Sequence, residues 1–272
     1  MRILAIDSSS LVATAAVVEK EVDTASRTVA EYTINYKKTH SQTLLPMIDE
    51  IVKMTELDLS TIDAIAVAGG PGSFTGLRIG SATAKGLGLA LNRPLIHVPT
   101  VDGMAYNLCY TDQIVCPIMD ARRSQVYTGI YEFAGCKIRV LEPQMAVGIE
   151  ELAEKLHRYP MGRGIIFLGD GVPVHRKKLE EELMAGWKIS FAPAHMNAQR
   201  AAAVGALAAE YCHSALTDDS GLANLGRALA LNADEEYKGI IIESAADHRP
   251  EYLRASQAER ERAERIKHAK EQ

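Results

Sequence analysis

The chain has 272 residues, 47% of them hydrophobic, with 30 Lys+Arg against 35 Asp+Glu and a formal net charge of −5. That length and balance give a globular protein with room for two cores, and the acidic surplus argues against a module that grips a polyanion by itself. No uncharged apolar run nears the ~18 residues of a membrane span, Asp7 interrupts the apolar start, and the four cysteines form no C-x-x-C pair, so a cytoplasmic protein with reduced thiols is expected.

Three strands are predicted first, over 3–7, 12–18 and about 27–35, the last with β-branched residues at 28, 29, 33 and 34. Leu44, Leu45, Ile48, Ile51 and Val52 recur at helical spacing over 41–54, and Pro46 sits near enough to the start to be tolerated. A short apolar strand over 64–68 then feeds the run Gly69-Gly70-Pro71-Gly72-Ser73-Phe74-Thr75-Gly76-Leu77-Arg78-Ile79-Gly80. A small-residue helix is predicted over 80–92 and a strand over 95–98. Three strands followed by helix, strand and helix are not simple βα alternation; they imply a mixed sheet whose first hairpins are antiparallel.

The order then returns. Ile114–Asp120 repeats the pattern of a strand ending in Asp, strands follow over 125–131 and 137–141, and a helix over 149–158. Ile165-Ile166-Phe167-Leu168-Gly169-Asp170 reads as a strand entering a turn, and 198–212 as an alanine-rich helix. This reads as a duplication, with residues 1–108 as one domain and 109–216 as a second, whose last helix, to about 214, packs back on the first. Residues 217–272 form an extension. Its stretch 256–270 alternates Glu with Arg and Lys and has no apolar face, so it reads as a solvated tail or a partner-binding arm.

The glycines of 69–80 permit positive φ and close backbone approach, and Ser73 or Thr75 can cap the following helix. The spacing is neither a Walker A loop nor a GxGxxG fingerprint. It serves a phosphate cradle and a tight helix–sheet turn equally well.

The string Gly70–Gly80 nevertheless resembles the signature of the bacterial TsaB (YeaZ) family. Further similarities are Ile3-Leu4-Ala5-Ile6-Asp7-Ser8-Ser9, His40-Ser41-Gln42-Thr43-Leu44-Leu45-Pro46, Met119-Asp120-Ala121-Arg122-Arg123 with Val126-Tyr127, and Tyr252-Leu253-Arg254. The resemblance is dense over 1–131, thinner to about 212, and returns at 250–254. It implies an α/β fold of the actin-like ATPase superfamily (ASKHA), with two similar domains. It also implies a non-catalytic partner of the transferase TsaD, which makes N6-threonylcarbamoyladenosine at position 37 of ANN-decoding tRNAs. The implied associations are with TsaD, with the ATPase TsaE, with a second copy when alone, and with tRNA only through the complex.

Candidate sites follow from both readings. Asp7 and Asp120 each end a first strand, where an actin-like fold turns such an acid toward the interdomain cleft. Asp7, Ser8, Gly72 and Ser73 are the candidates for nucleotide contact, although Leu11 and Val12 stand where ATP-binding relatives favour Gly. The commoner reading of each Asp is a turn acid binding its own backbone. No cofactor is expected beyond weak nucleotide binding, and no metal. TsaD carries an H-x-x-x-H pair whose positions, aligned on Val98, fall here on Thr100 and Met104, and the eight histidines include no i,i+4 pair. No Gly-x-Ser-x-Gly elbow supports a hydrolase. The partner surface is assigned to His40, Leu44, Leu45, Ile48, Ile51 and Val52 on one helix and Ala84 and Leu87 on the next, which exceed what one buried face needs. The alternatives are an ATP-dependent small-molecule kinase of the same superfamily and, behind it, a peptidase.

Overall fold

The computed structural model describes residues 1–21, 24–37, 39–216 and 239–254. The first sheet is built from β1 (Arg2–Asp7), β2 (Val12–Glu19), β3 (Arg27–Asn35), β4 (Ala64–Gly70) and β5 (Leu95–Pro99). Helices α1 (His40–Met54) and α2 (Phe74–Leu91) punctuate it, and α3 (Thr100–Tyr106) leads out. The second sheet contains β6 (Ile114–Asp120), β7 (Gln125–Ala134), β8 (Lys137–Gly148), β9 (Ile165–Leu168) and β10 (Ile189–Phe191), with α4 (Ile149–Leu156) and α5 (Val172–Lys178) between strands. A last helix, α6 (Ala201–Leu216), precedes β11 (Ile241–Glu243).

The two sheets have one topology. The orders are β5-β4-β1-β2-β3 and β10-β9-β6-β7-β8, with β11 added at the outer edge of the first. β1 pairs antiparallel with β2 and parallel with β4; β6 does the same with β7 and β9. The predicted duplication is therefore visible strand by strand.

Three cores hold five layers together. Leu44, Ile48 and Ile51 of α1 and Ala84 of α2 cover one face of the first sheet, against Leu4, Ile6, Ile65 and Val67. α3 and α6 fill the space between the sheets, where Met104 and Leu207 join Ile3, Tyr131 and Phe133. α4 and α5 cover the far face of the second sheet through Leu152, Leu156 and Val172. Sandwiching explains the composition of α6: a helix apolar on all sides is a buried one, and small residues let both sheets approach. A Cβ at Gly205 would crowd Val18 and Ala5. Its first turn is held from the first sheet, with Ala201 N donating to Thr14 Oγ1 at 3.2 Å and Ala202 N to Glu31 Oε1 at 3.0 Å.

Several predicted boundaries move. The second helix begins at Phe74, not residue 80, because Ser73 caps it, its Oγ accepting from Gly76 N at 3.3 Å. β8 runs on to Gly148, β9 stops at Leu168 where Gly169 takes φ +113, and α6 starts at Ala201. α3, α5, β10 and β11 were not anticipated. Ile241 and Ile242, assigned to the extension, form β11 with Glu243, which pairs antiparallel with β5. Residues 217–238 and the charged run at 256–270 lie outside the described residues.

Candidate functional site

A cleft of about 640 Å³ opens between the sheets. One wall is the β1–β2 turn, Ser9 to Leu11, with the glycine loop and first turn of α2, Gly72 to Gly76; the other is Asp120 to Arg122, with Tyr127 and Asp170. The glycine loop is shaped by close packing. Cβ atoms at Gly72 and Gly76 would collide with the carbonyl oxygens of Ser9 and Ser8, so these positions admit only hydrogen. Ser73 N donates to Ser9 O at 2.6 Å, tying the loop to the first hairpin. The Gly70–Pro71 peptide is cis, with Gly70 at φ +128.

The two hairpin acids behave alike. Asp7 Oδ1 accepts from Ser9 N and Asp120 Oδ1 from Arg122 N, both at 2.8 Å, so each closes its own turn. Their surroundings differ. Asp7 is 1% exposed and does not line the cleft. Burial pushes its carboxyl up to about 6, against the hydrogen bonds to Ser9 that lower it. Asp120 does line the cleft, and its N–H donates to Asp170 Oδ1 at 3.0 Å. Loss of solvent raises the Asp170 carboxyl above its ordinary value, with the nearby Asp120 charge adding to the shift. Arg122, Arg123 and Ser124 then take positive φ in succession, 65, 55 and 57, and carry Arg122 to the cleft mouth.

The sequence-predicted site therefore divides. Gly72 and Ser73 line the cleft. Asp7 and Ser8 do not: Asp7 lies beneath its turn, and Ser8, 2% exposed, donates its hydroxyl to Gly76 O at 2.9 Å. The first hairpin thus offers the cleft Ser9, Ser10 and Leu11. Asp170 was not selected as a site residue. Its signal was the repeated strand order, which puts the end of β9 beside the end of β6.

The partner-surface assignment needs a larger correction. Leu44, Ile48, Ile51 and Ala84 are at most 4% exposed and belong to the protein's own core. Val52 and Leu87 are half-buried against the same core. His40 is half-buried, its Nε2 lying 2.7 Å from Ser10 O. Leu45 alone of the eight is openly exposed, at 53%, joined by Met54 and Leu89. The sheet takes Leu44, Met47, Ile48 and Ile51, a complete i, i+3, i+4, i+7 stripe, and turns Leu45 outward.

Thr100 and Met104 are both buried within 1% exposure, and Thr100 Oγ1 accepts from Gly70 N at 3.2 Å. Thr100 thus packs under the glycine loop, and Met104 belongs to the core between the sheets. They do not fit a metal centre of the H-x-x-x-H kind, since neither a structural hydroxyl nor a core thioether offers a strong ligand to a hard ion.

Among solved structures, a Pseudomonas aeruginosa protein described as similar to the peptidase YeaZ matches 93% of this chain and 99% of its own, with a TM-score of 0.67 at 23% identity. With two sheets of one strand order around a cleft, the chain is an α/β protein with the fold of that structure. A family model for TsaD, described as tRNA N6-adenosine threonylcarbamoyltransferase, matches residues 27–261. The Bacillus subtilis tRNA threonylcarbamoyladenosine biosynthesis protein TsaB is 33% identical over 67% of this chain and 77% of its own length, and the Escherichia coli TsaB 35% identical over 48% and 55%. The chain belongs to the TsaB (YeaZ) family, and it spans about half the length of some curated relatives it matches and three quarters of another.

Proposed function

We propose that the chain is the non-catalytic subunit that holds TsaD in an active form and helps recruit TsaE for threonylcarbamoyl transfer to tRNA. The observation that carries this reading is the burial of Thr100 and Met104, the positions that align with the metal-binding pair of the transferase. Such core side chains have no metal to orient a threonylcarbamoyl donor. The acidic balance supports it too, because affinity for RNA rests largely on neutralising phosphates. Partner binding is assigned to the outward face of α1 and α2, around Leu45, Met54 and Leu89. A homodimer through the same face is the expected form when TsaD is absent. The test is reconstitution with the organism's own TsaD and TsaE and a supplied donor. Modified adenosine appears only when TsaD is present, and its appearance without TsaD overturns the reading.

A second reading, an ATP-dependent enzyme, draws on the cleft, where the Asp120 carboxylate and Arg122 face the glycine loop. With the Asp7 carboxylate beneath its turn, we propose that nucleotide binding by the chain alone is weak. Calorimetry with ATP and Mg²⁺ decides: micromolar affinity lost in Asp120→Ala supports the enzyme.

A further inference from the structure

The segment after β11 folds back across the edge of the first sheet and brings two histidines and a glutamate together. His97 comes from β5, Glu243 from the end of β11, and His248 from the turn that follows. One ligand atom from each lies within 4.8 Å of the others, the one such group of three among the described residues. His97 and His248 are 5% and 1% exposed. Their rings lie at a centroid separation of 5.8 Å, tilted by 53°. His248 Nδ1 lies 2.6 Å from Glu243 Oε1, and with the ring proton carried on Nε2 both atoms face one another as ligands for a single cation. That Nε2 is buried with no hydrogen-bond partner.

We propose that His97, Glu243 and His248 form a binding site for a divalent transition-metal ion of the zinc class, which fastens the C-terminal segment to β5. Two imidazoles and one carboxylate suit zinc, whose ligands stand about 3.3 Å apart at ordinary bond lengths and tetrahedral angles. Glu251 Oε2 adds a further carboxylate 3.9 Å from His97 Nε2. Burial holds the His97 imidazole as the neutral, ligating form, pushed down to about 4 with the neighbouring His248 adding to the shift.

The site is placed to matter. A Cβ at Gly69 would collide with the His97 ring, so ring and glycine loop are in direct contact. Glu251 N donates to Gly69 O at 2.7 Å, three residues beyond His248. An ion here sets how firmly the segment braces the glycine loop, without entering the cleft.

The experiment uses the full chain, stripped with chelator and reloaded with Zn²⁺ or Co²⁺. One ion per chain is expected, with Co²⁺ giving intense visible bands of a tetrahedral site and no thiolate charge-transfer band. At a hundredfold excess over its dissociation constant, the ion raises the thermal midpoint by roughly 5 °C. Glu243→Gln, which keeps size and shape, and His248→Ala each weaken uptake at least tenfold. The wild-type measurement decides by itself whether either variant folds or not. Failure of the stripped protein to take up one equivalent overturns the proposal. So does a thiolate band, or uptake indifferent to folded Glu243→Gln, each of which assigns the ion elsewhere.

Discussion

Asp7 shows how a residue can be conspicuous in a sequence for one reason and present in the fold for another. An acid at the end of a first strand invites a nucleotide role, yet this carboxyl is buried and engaged by Ser9 N. Its value in the fold, about 6, lies above the ordinary carboxylate value of 3.8. The folded state therefore holds more protons than the unfolded one between those values, and stability from this group falls as pH rises from about 4 to 6. Asp7→Asn keeps an oxygen for Ser9 N and removes the buried charge. It is expected to stabilise the protein at pH 7 by about 2–3 kcal/mol and to add nothing below pH 4. His97, held near 4, contributes with the opposite sign, its stability lost as pH falls through the same window. The informative quantity is thus the difference between variant and wild type in urea midpoint across pH 4–7. An Asp7→Asn midpoint below wild type at pH 7 would show that the carboxylate is stabilised by something other than its turn.

The helices separate what periodicity reveals from what it hides. That α1 is a helix was legible from its apolar spacing, and β1, β2, β4 and β6 from their runs ending at turn residues. Which apolar residues face outward was not, because α1 carries more of them than one stripe uses. Met47, passed over as a site, completes the buried stripe, and Leu45 falls off it. Two substitutions measure the distinction. Ile48→Asp puts a lone carboxylate into the core and is expected to cost several kcal/mol, enough to prevent folding. Leu45→Asp leaves the urea midpoint within about 0.5 kcal/mol of wild type while abolishing co-purification with TsaD. Soluble, folded Ile48→Asp, or Leu45→Asp that still co-purifies, would each move the partner surface. The glycine loop gives a third case. Its motif was legible, but the early start of α2 was not, because Gly76 read as loop when it in fact serves helix–hairpin approach. Gly76→Ala forces the new methyl against Ser8 O, and a loss of about 1–3 kcal/mol in chemical denaturation is expected, as for overpacking elsewhere.

The assembled molecule depends on contacts that no local pattern announces. The duplication was readable as an order of strands, but β10, β11 and the His97–Glu243–His248 cluster come from short segments or from residues far apart in the chain. The C-terminal segment joins both halves. Tyr252 packs on Phe74 with ring centroids 4.9 Å apart, Gln144 of β8 donates to Glu251 at 2.6 Å, and Arg254 donates to Ala121 O at 2.7 Å. Lys85 of α2 donates to the carbonyls of Ala246 and His248 at 2.9 and 3.1 Å. One strand of chain thus ties the glycine loop to the second hairpin across the cleft mouth. Ending the chain at residue 238 removes these ties together with the buried side chains of Ile242 and Ala245. Ile242 alone is worth about 1.5–3 kcal/mol of burial, while the ten strands that remain still pair among themselves. The truncated protein is expected to fold with a lower thermal midpoint. Its amide exchange should quicken in two places far apart in sequence, residues 69–74 and 120–124, with little change in β1, β2 and β7. Faster exchange confined to β5, the strand that loses its edge partner, would show that the segment only covers the sheet and does not couple the cleft walls.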